Sequence, residues 1–127
     1  MQRSLFQYVF DSSSLIEIER NGKTGKLRRL RGEVLLPKKV AEEVAQPGTP
    51  LRRFISRYSD IISSFQPNEE EEYLRIRSQI GIDDGEASAI ALALNRNLPL
   101  VIEDIRGRTK AQNHKVECLH WQEFFSK

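Results

Sequence analysis

Tyr8-Val9-Phe10-Asp11-Ser12-Ser13-Ser14-Leu15-Ile16 is the stretch from which the fold is read. Residues 5–10 are aromatic and apolar, and read as a strand. Residues 12–20 read as a helix with Leu15, Ile16 and Ile18 apolar, and Asn21-Gly22 breaks it. An acid, Asp11, stands at the junction. The same alternation recurs further on. A strand at 33–36 precedes a helix at 37–46, with Pro37 suited to a first helical position. Strands at 61–65, 98–102 and 116–119 precede helical stretches at 67–79, 105–112 and 121–125. Short helices at 26–31 and 51–58 complete the pattern, and 84–95 is apolar nearly all round, as an interior helix is. Strands that alternate with helices predict a mostly parallel sheet of about five strands, covered on both faces: an α/β/α sandwich.

Composition sets the outer bounds. With 127 residues, 39% hydrophobic and 30% charged, the chain is expected to form a single globular domain over residues 1–127. No apolar run reaches the roughly 18 residues of a membrane span, and the N-terminal residues read as a first strand rather than a signal peptide. One cysteine, Cys118, excludes an internal disulfide and a multi-cysteine metal site, which makes a reducing cytoplasm the simplest setting.

Four acids lie at or near the ends of successive strands: Asp11, Glu43, Glu86 and Asp104. In a parallel sheet the carboxyl ends of the strands share one edge, where ligands bind, so these acids are expected to converge. Converging carboxylates repel and call for a hard cation held by oxygen. Each acid also has a plainer explanation. Asp11 and Asp104 suit helix N-caps, Glu43 suits a surface salt bridge, and Asp83 with Glu86 suits a capping box. Glu43 is preferred to Glu42 because it lies about 60° from Val40 on a helix, near the buried face. Glu86 shares the stripe of Ile90 and Ala93, with Gly85 removing bulk beside it; Asp83 and Asp84 stay open as substitutes. Of Glu103 and Asp104, alternation lets only one reach the site. The block Glu69 to Glu72 is assigned to a helix N-terminus, with Asn68 and Glu71 as its capping box.

Other chemistries lack their residues. His114 and His120 have neither zinc-type spacing nor cysteine partners, and there is no phosphate-binding glycine loop and no Gly-x-Ser-x-Gly elbow. The net charge is only +2, but basic residues cluster at 20–31, at Arg52, Arg53 and Arg57, and at Arg106, Arg108 and Lys110. Basic clusters around an acidic site suit a polyanionic substrate. Arg106 and Arg108, with the cluster at 26–31, are expected to hold its phosphates.

Residues 9–16 resemble the opening motif of PIN domains, a strand ending in Asp and followed by Ser/Thr and Leu-Ile. Residues 36–44 look like the second motif, whose acid three after the valine matches Glu43. Residues 83–93 are similar to a variant third motif in which Gly-Glu replaces the commoner Asp. Residues 100–108 resemble the fourth, a double acid followed by Gly-Arg. The resemblance implies a three-layer α/β/α fold and a Mg²⁺- or Mn²⁺-dependent endoribonuclease. Asp11, Glu86 and Asp104 would bind metal, Glu43 would complete the acidic pocket, and Ser13, Arg106 and Arg108 would meet the substrate. Many small members are VapC-like toxins, paired with an antitoxin and often homodimeric. The alternative is a catalytically inactive PIN-like module that binds RNA or protein.

Overall fold

The computed structural model describes residues 6–126. Five short strands, β1 (Tyr8–Phe10), β2 (Val34–Pro37), β3 (Ile62–Ser63), β4 (Leu100–Val101) and β5 (Cys118–Leu119), pair throughout in parallel in the order β3-β2-β1-β4-β5. Among the described residues eight helices connect and follow them: α1 (Ser12–Arg20), α2 (Thr24–Arg29), α3 (Lys38–Val44), α4 (Pro50–Arg57), α5 (Pro67–Arg77), α6 (Asp84–Arg96), α7 (Ile105–Asn113) and α8 (Trp121–Ser126). The expected α/β/α sandwich is what forms. Leu5, the first residue of the expected opening strand, lies outside the described residues.

The chain steps outward from β1 through β2 to β3, then returns across the sheet to β4 and β5. α1 packs with α2, α3, α4 and α8, α5 packs with α6, and α3 also meets α6. The reversal falls between β1 and β4, and the crevice beyond their carboxyl ends is the switch point of the sheet. Strands covered on both faces need continuous apolar runs, and all four residues of β2 are buried.

α6 lies against the sheet and against α5. Its buried alanines, Ala87, Ala89, Ala91 and Ala93, keep it slim enough to lie close. Asn97, in the left-handed region at φ 54°, ends it, as asparagine can. On the other face, Phe124 of α8 meets Phe10 and Tyr8 edge-on, with ring centres 4.9 and 5.1 Å apart.

The acidic block differs from the expectation. Pro67 takes the first position of α5, so Gln66 is the cap, and its N–H donates to Glu69 at 2.8 Å. The box is Gln66 with Glu69, two residues before Asn68 and Glu71. Glu69 is also no solvated helix-end acid. Only 3% exposed, it accepts two hydrogen bonds from Arg96 at 2.8 and 3.1 Å. Those bonds hold its carboxyl below the usual range. The pair fastens the start of α5 to the end of α6.

Candidate active site

The β1–β4 ladder continues one residue past the strand: Asp11 N–H donates to Val101 O at 3.0 Å. This fixes Asp11 at the carboxyl edge beside the switch point. Its Oδ2 accepts from Ser13 Oγ at 3.0 Å and from Ser13 N–H at 3.4 Å, capping α1. Its Oδ1 is buried with no hydrogen-bond partner. Burial is the main reason that the Asp11 carboxyl is pushed up to about 6; the bonds from Ser13 oppose that rise.

The three serines after Asp11 tie three elements to this corner. Successive helical positions turn by about 100°, so neighbouring hydroxyls face different directions. Ser12 Oγ donates to Glu43 Oε1 of α3 at 2.7 Å. Ser13 Oγ donates to Asp11 and accepts from the backbone N–H groups of Glu103 and Asp104 at 3.0 and 3.2 Å. Ser14 Oγ, fully buried, lies 2.8 Å from Asp11 O and 2.9 Å from Val101 O. Ser13, expected to meet substrate, clamps Asp11 to the loop after β4.

Glu43 is exposed at its rim but anchored by Ser12. Gly85, at the start of α6, is what lets it in. A Cβ there would collide with Glu43 Oε1 and stand 3.5 Å from Ser12 Oγ. The close approach foreseen at Gly85 is thus made by a carboxylate of the chain itself. Gly107 plays the matching part on α7. A Cβ there would collide with Ile102 Cδ1 and lie 3.0 Å from Glu86 Oε2 and 3.2 Å from Asp104 Oδ2, so glycine leaves room for all three side chains. Gly107 N–H donates to Asp104 Oδ2 at 2.7 Å.

Glu86 is half-buried and is pushed up to about 7. Desolvation is the largest cause, followed by hydrogen bonding to Asp104 and by the charges of Asp83, Asp11 and Asp104. Asp83 caps α6 by accepting from Glu86 N–H at 2.8 Å and adds its charge to the cluster. Asp84 lies beside it, bound by Arg77 Nε and 3.4 Å from Tyr73 Oη. Glu103 turns away. It accepts from Trp121 N–H at 2.7 Å and pairs with His120 Nδ1 at 3.1 Å. Asp84 is thus tied to α5 and Glu103 to α8. Arg106 is exposed, while Arg108 donates to Ile102 O at 3.1 Å and so supports the end of β4.

Among the described residues, no ion pair neutralises Asp11, Glu43, Asp83, Glu86 or Asp104. An orphaned buried oxygen and several unneutralised carboxylates form a donor set whose chemistry fits a hard divalent ion. As the side chains stand, no three acid, histidine or cysteine groups among the described residues are drawn together closely enough to hold a metal. The set is open rather than closed. A groove of about 790 Å³ opens beside it, lined by Lys39, Glu42, Glu43, Arg77, Asp83 and Gly85 among others. Lys39 and Arg77 had no signal in the sequence reading. Only the packing of α3 and α5 brings them to this edge.

The sequence matches the PIN-domain family over residues 7–119, and the chain belongs to that family. No curated protein matches it. Solved structures with the same fold include PAE2754 from Pyrobaculum aerophilum, at TM-score 0.64 and 16% identity over 97% of this chain and 96% of that one. DNA-bound VapBC from Salmonella typhimurium aligns at TM-score 0.66 and 10% identity, over 92% and 99% of the two chains. FitAcB from Neisseria gonorrhoeae aligns at 0.61 and 15%, over 91% and 99%. Among the described residues no helix is long and apolar enough to cross a membrane.

Proposed function

We propose that this chain is an endoribonuclease that hydrolyses RNA phosphodiester bonds with Mg²⁺ or Mn²⁺, acting as a cytoplasmic, homodimeric toxin held in check by an antitoxin protein. The observation that carries the reading is the corner itself. Asp11 with its unpartnered Oδ1, Glu86 and Asp104 stand at the switch point without a cation of the chain's own. The likeness to the VapBC and FitAcB structures supports the toxin role.

Asp11, Glu86 and Asp104 are the residues that would hold the ion. When bound, a divalent ion polarises water and offsets the charge that builds up on the phosphate. The protein's part is positioning. Ser13 holds Asp11 Oδ2, which leaves Oδ1 for the site, and Ser12 holds Glu43 at the rim of the acidic pocket. Gly107 lets Glu86 and Asp104 share one spot. Arg106, exposed at the start of α7, would hold a flanking phosphate, with Arg108 behind it.

The test is cleavage of RNA by the purified chain with Mn²⁺, with and without EDTA, beside Asp11→Asn and Asp104→Asn. Cleavage that EDTA stops and both variants lose by about 100-fold or more supports the reading. Equal cleavage by wild type and both variants rejects it. One observation favours the alternative, a module that binds without cutting: the acids do not stand in a closed metal-holding set. That alternative predicts RNA or protein binding that is indifferent to Mn²⁺.

A further inference from the structure

Away from the acids, three arginines surround a hollow of about 360 Å³: Arg28 on α2, and Arg53 and Arg57 on α4. Thr24, Phe54 and Tyr58 also line it, and no carboxylate does. None of the ion pairs among the described residues involves these three arginines. A fourth arginine, Arg31, lies 4.5 Å over the ring of Tyr58, and Arg57 lies 5.8 Å over it. The whole chain carries a net charge of only +2, so this face concentrates positive charge that the rest of the chain offsets.

The fold corrects the expectation that this cluster lines the acidic corner together with Arg106 and Arg108. α2 leads into β2 and α4 leads into β3, so the hollow sits by the amino-terminal edge of the sheet. The acids sit at the carboxyl edge. α1 runs from one to the other over 9 residues, about 13 Å at about 1.5 Å per residue. The arginines are therefore not part of the acidic site. Like charges gathered around one hollow repel each other, and they are relieved by an anion. Guanidinium forks match phosphate oxygens, and arginines interleaved with aromatic rings are the composition of grooves that bind single strands.

We infer that the Arg28–Arg53–Arg57 hollow is a second contact for single-stranded nucleic acid, gripping phosphates of a strand whose scissile bond lies at the acids. The inference rests on the proposed RNA hydrolysis. It adds a length requirement. A strand long enough to span about 13 Å touches both places at once, whereas a shorter one is held at only one of them, which without a metal at the acids is the hollow.

The experiment measures binding of fluorescent oligouridylates of 4 and 16 nucleotides by anisotropy across a salt series. It uses Asp11→Asn chain in EDTA, with and without Arg28→Gln/Arg53→Gln/Arg57→Gln. The arginine variant should bind the 16-mer about 10-fold more weakly at low salt. Its log–log salt slope should be shallower by about 2, for three lost phosphate contacts at about 0.7 each, and the 4-mer, which in EDTA only the hollow can hold, should lose most of its binding. With Asp11 restored and Mn²⁺ present, KM for long RNA should rise and kcat should hold. The triple Arg→Lys variant, which keeps the charge, should retain most of the salt slope and keeps the test open if the Gln variant fails to fold. An unchanged 16-mer affinity and slope, in a chain that still cleaves RNA, overturns the second contact and leaves the proposed function standing. Displacement of nothing by the 16-mer, but tight binding of poly-glutamate to the hollow, also overturns it, in favour of an acidic protein segment. If the wild type cleaves no RNA while the arginine variant still loses the 16-mer, the nuclease reading fails and the nucleic-acid contact survives.

Discussion

Replacing Asp11 by Asn should make the metal-free protein more stable while removing its function. Asp11 is 3% exposed, one of its oxygens has no partner, and its carboxyl sits at about 6 against 3.8. An acid raised in the folded state favours folding while it is protonated. That contribution is complete below about pH 3.8 and is lost as pH climbs through about 6. At pH 7.5 the ionised group therefore weighs on the fold by about 3 kcal/mol, at about 1.4 kcal/mol per pH unit of displacement. Asparagine keeps an oxygen for Ser13 and carries no charge. Its amide takes the orphaned position and forgoes hydrogen bonds there, at roughly 1 to 2 kcal/mol. The net gain is about 1 to 2 kcal/mol, which raises Tm by about 3 to 8 °C in a domain of this size. The assay is thermal unfolding in EDTA at pH 7.5 and at pH 4.5, then at pH 7.5 with Mn²⁺. The gain should appear at pH 7.5 and vanish at pH 4.5, where Asp11 is largely protonated already. Saturating Mn²⁺ should reverse the order, since an ion at 100 times its Kd adds about 2.7 kcal/mol only to the chain that binds it. A lower Tm for Asp11→Asn at pH 7.5 in EDTA, or the same shift at both pH values, would refute the account of Asp11 as an uncompensated buried charge.

The metal-free wild type should itself lose stability between about pH 4 and pH 7, because Asp11 and Glu86 both titrate above their ordinary values, and Mn²⁺ should flatten that slope; Tm against pH measures it. Gly85→Ala should leave Tm within a few degrees, since alanine favours a helix by about 1 kcal/mol, yet it should expel Glu43, break the Ser12–Glu43 bond and lower RNA cleavage about 10-fold. Arg96→Ala strands the buried Glu69 and should cost about 3 kcal/mol at pH 7, and Glu69→Gln in the same chain should restore part of it, as read by urea unfolding.

The parallel sheet was legible because its signal is local. Apolar runs of strand length alternate with helical stretches, and the boundaries after β1, β2 and β4 carry Asp11, Pro37 and Asp104. Alternation also allowed only one of Glu103 and Asp104 at the site, and helical phase preferred Glu43 to Glu42. What stayed hidden depends on which side chains other segments present. Nothing in residues 12–14 says that three serines will reach three different elements, because their partners lie 31 to 91 positions away. Glu69 looked like a solvated helix-end charge, since its partner Arg96 comes from a helix 27 residues later. The basic clusters were visible as charge, but their edge of the sheet followed only from the topology.

Helix capping and metal binding were set against each other as explanations of the same acids. The structure removes the opposition, because a carboxylate has two oxygens. Asp11 caps α1 through Oδ2, and its Oδ1 is left buried without a partner. Asp104 caps α7 through Oδ2, with Glu86 beside it over Gly107. The cap is what makes such a site feasible. A backbone N–H and the positive end of a helix hold each acid at the sheet edge when no cation is present, and partly offset its charge. The remaining cost falls on Asp11 Oδ1 and on Glu86, the two places where the acids are raised. On the proposed function, a fold that fixes its acids by caps and leaves part of their charge unrelieved would favour a cation at the switch point. Removing that charge should therefore stabilise the empty protein and disable the occupied one.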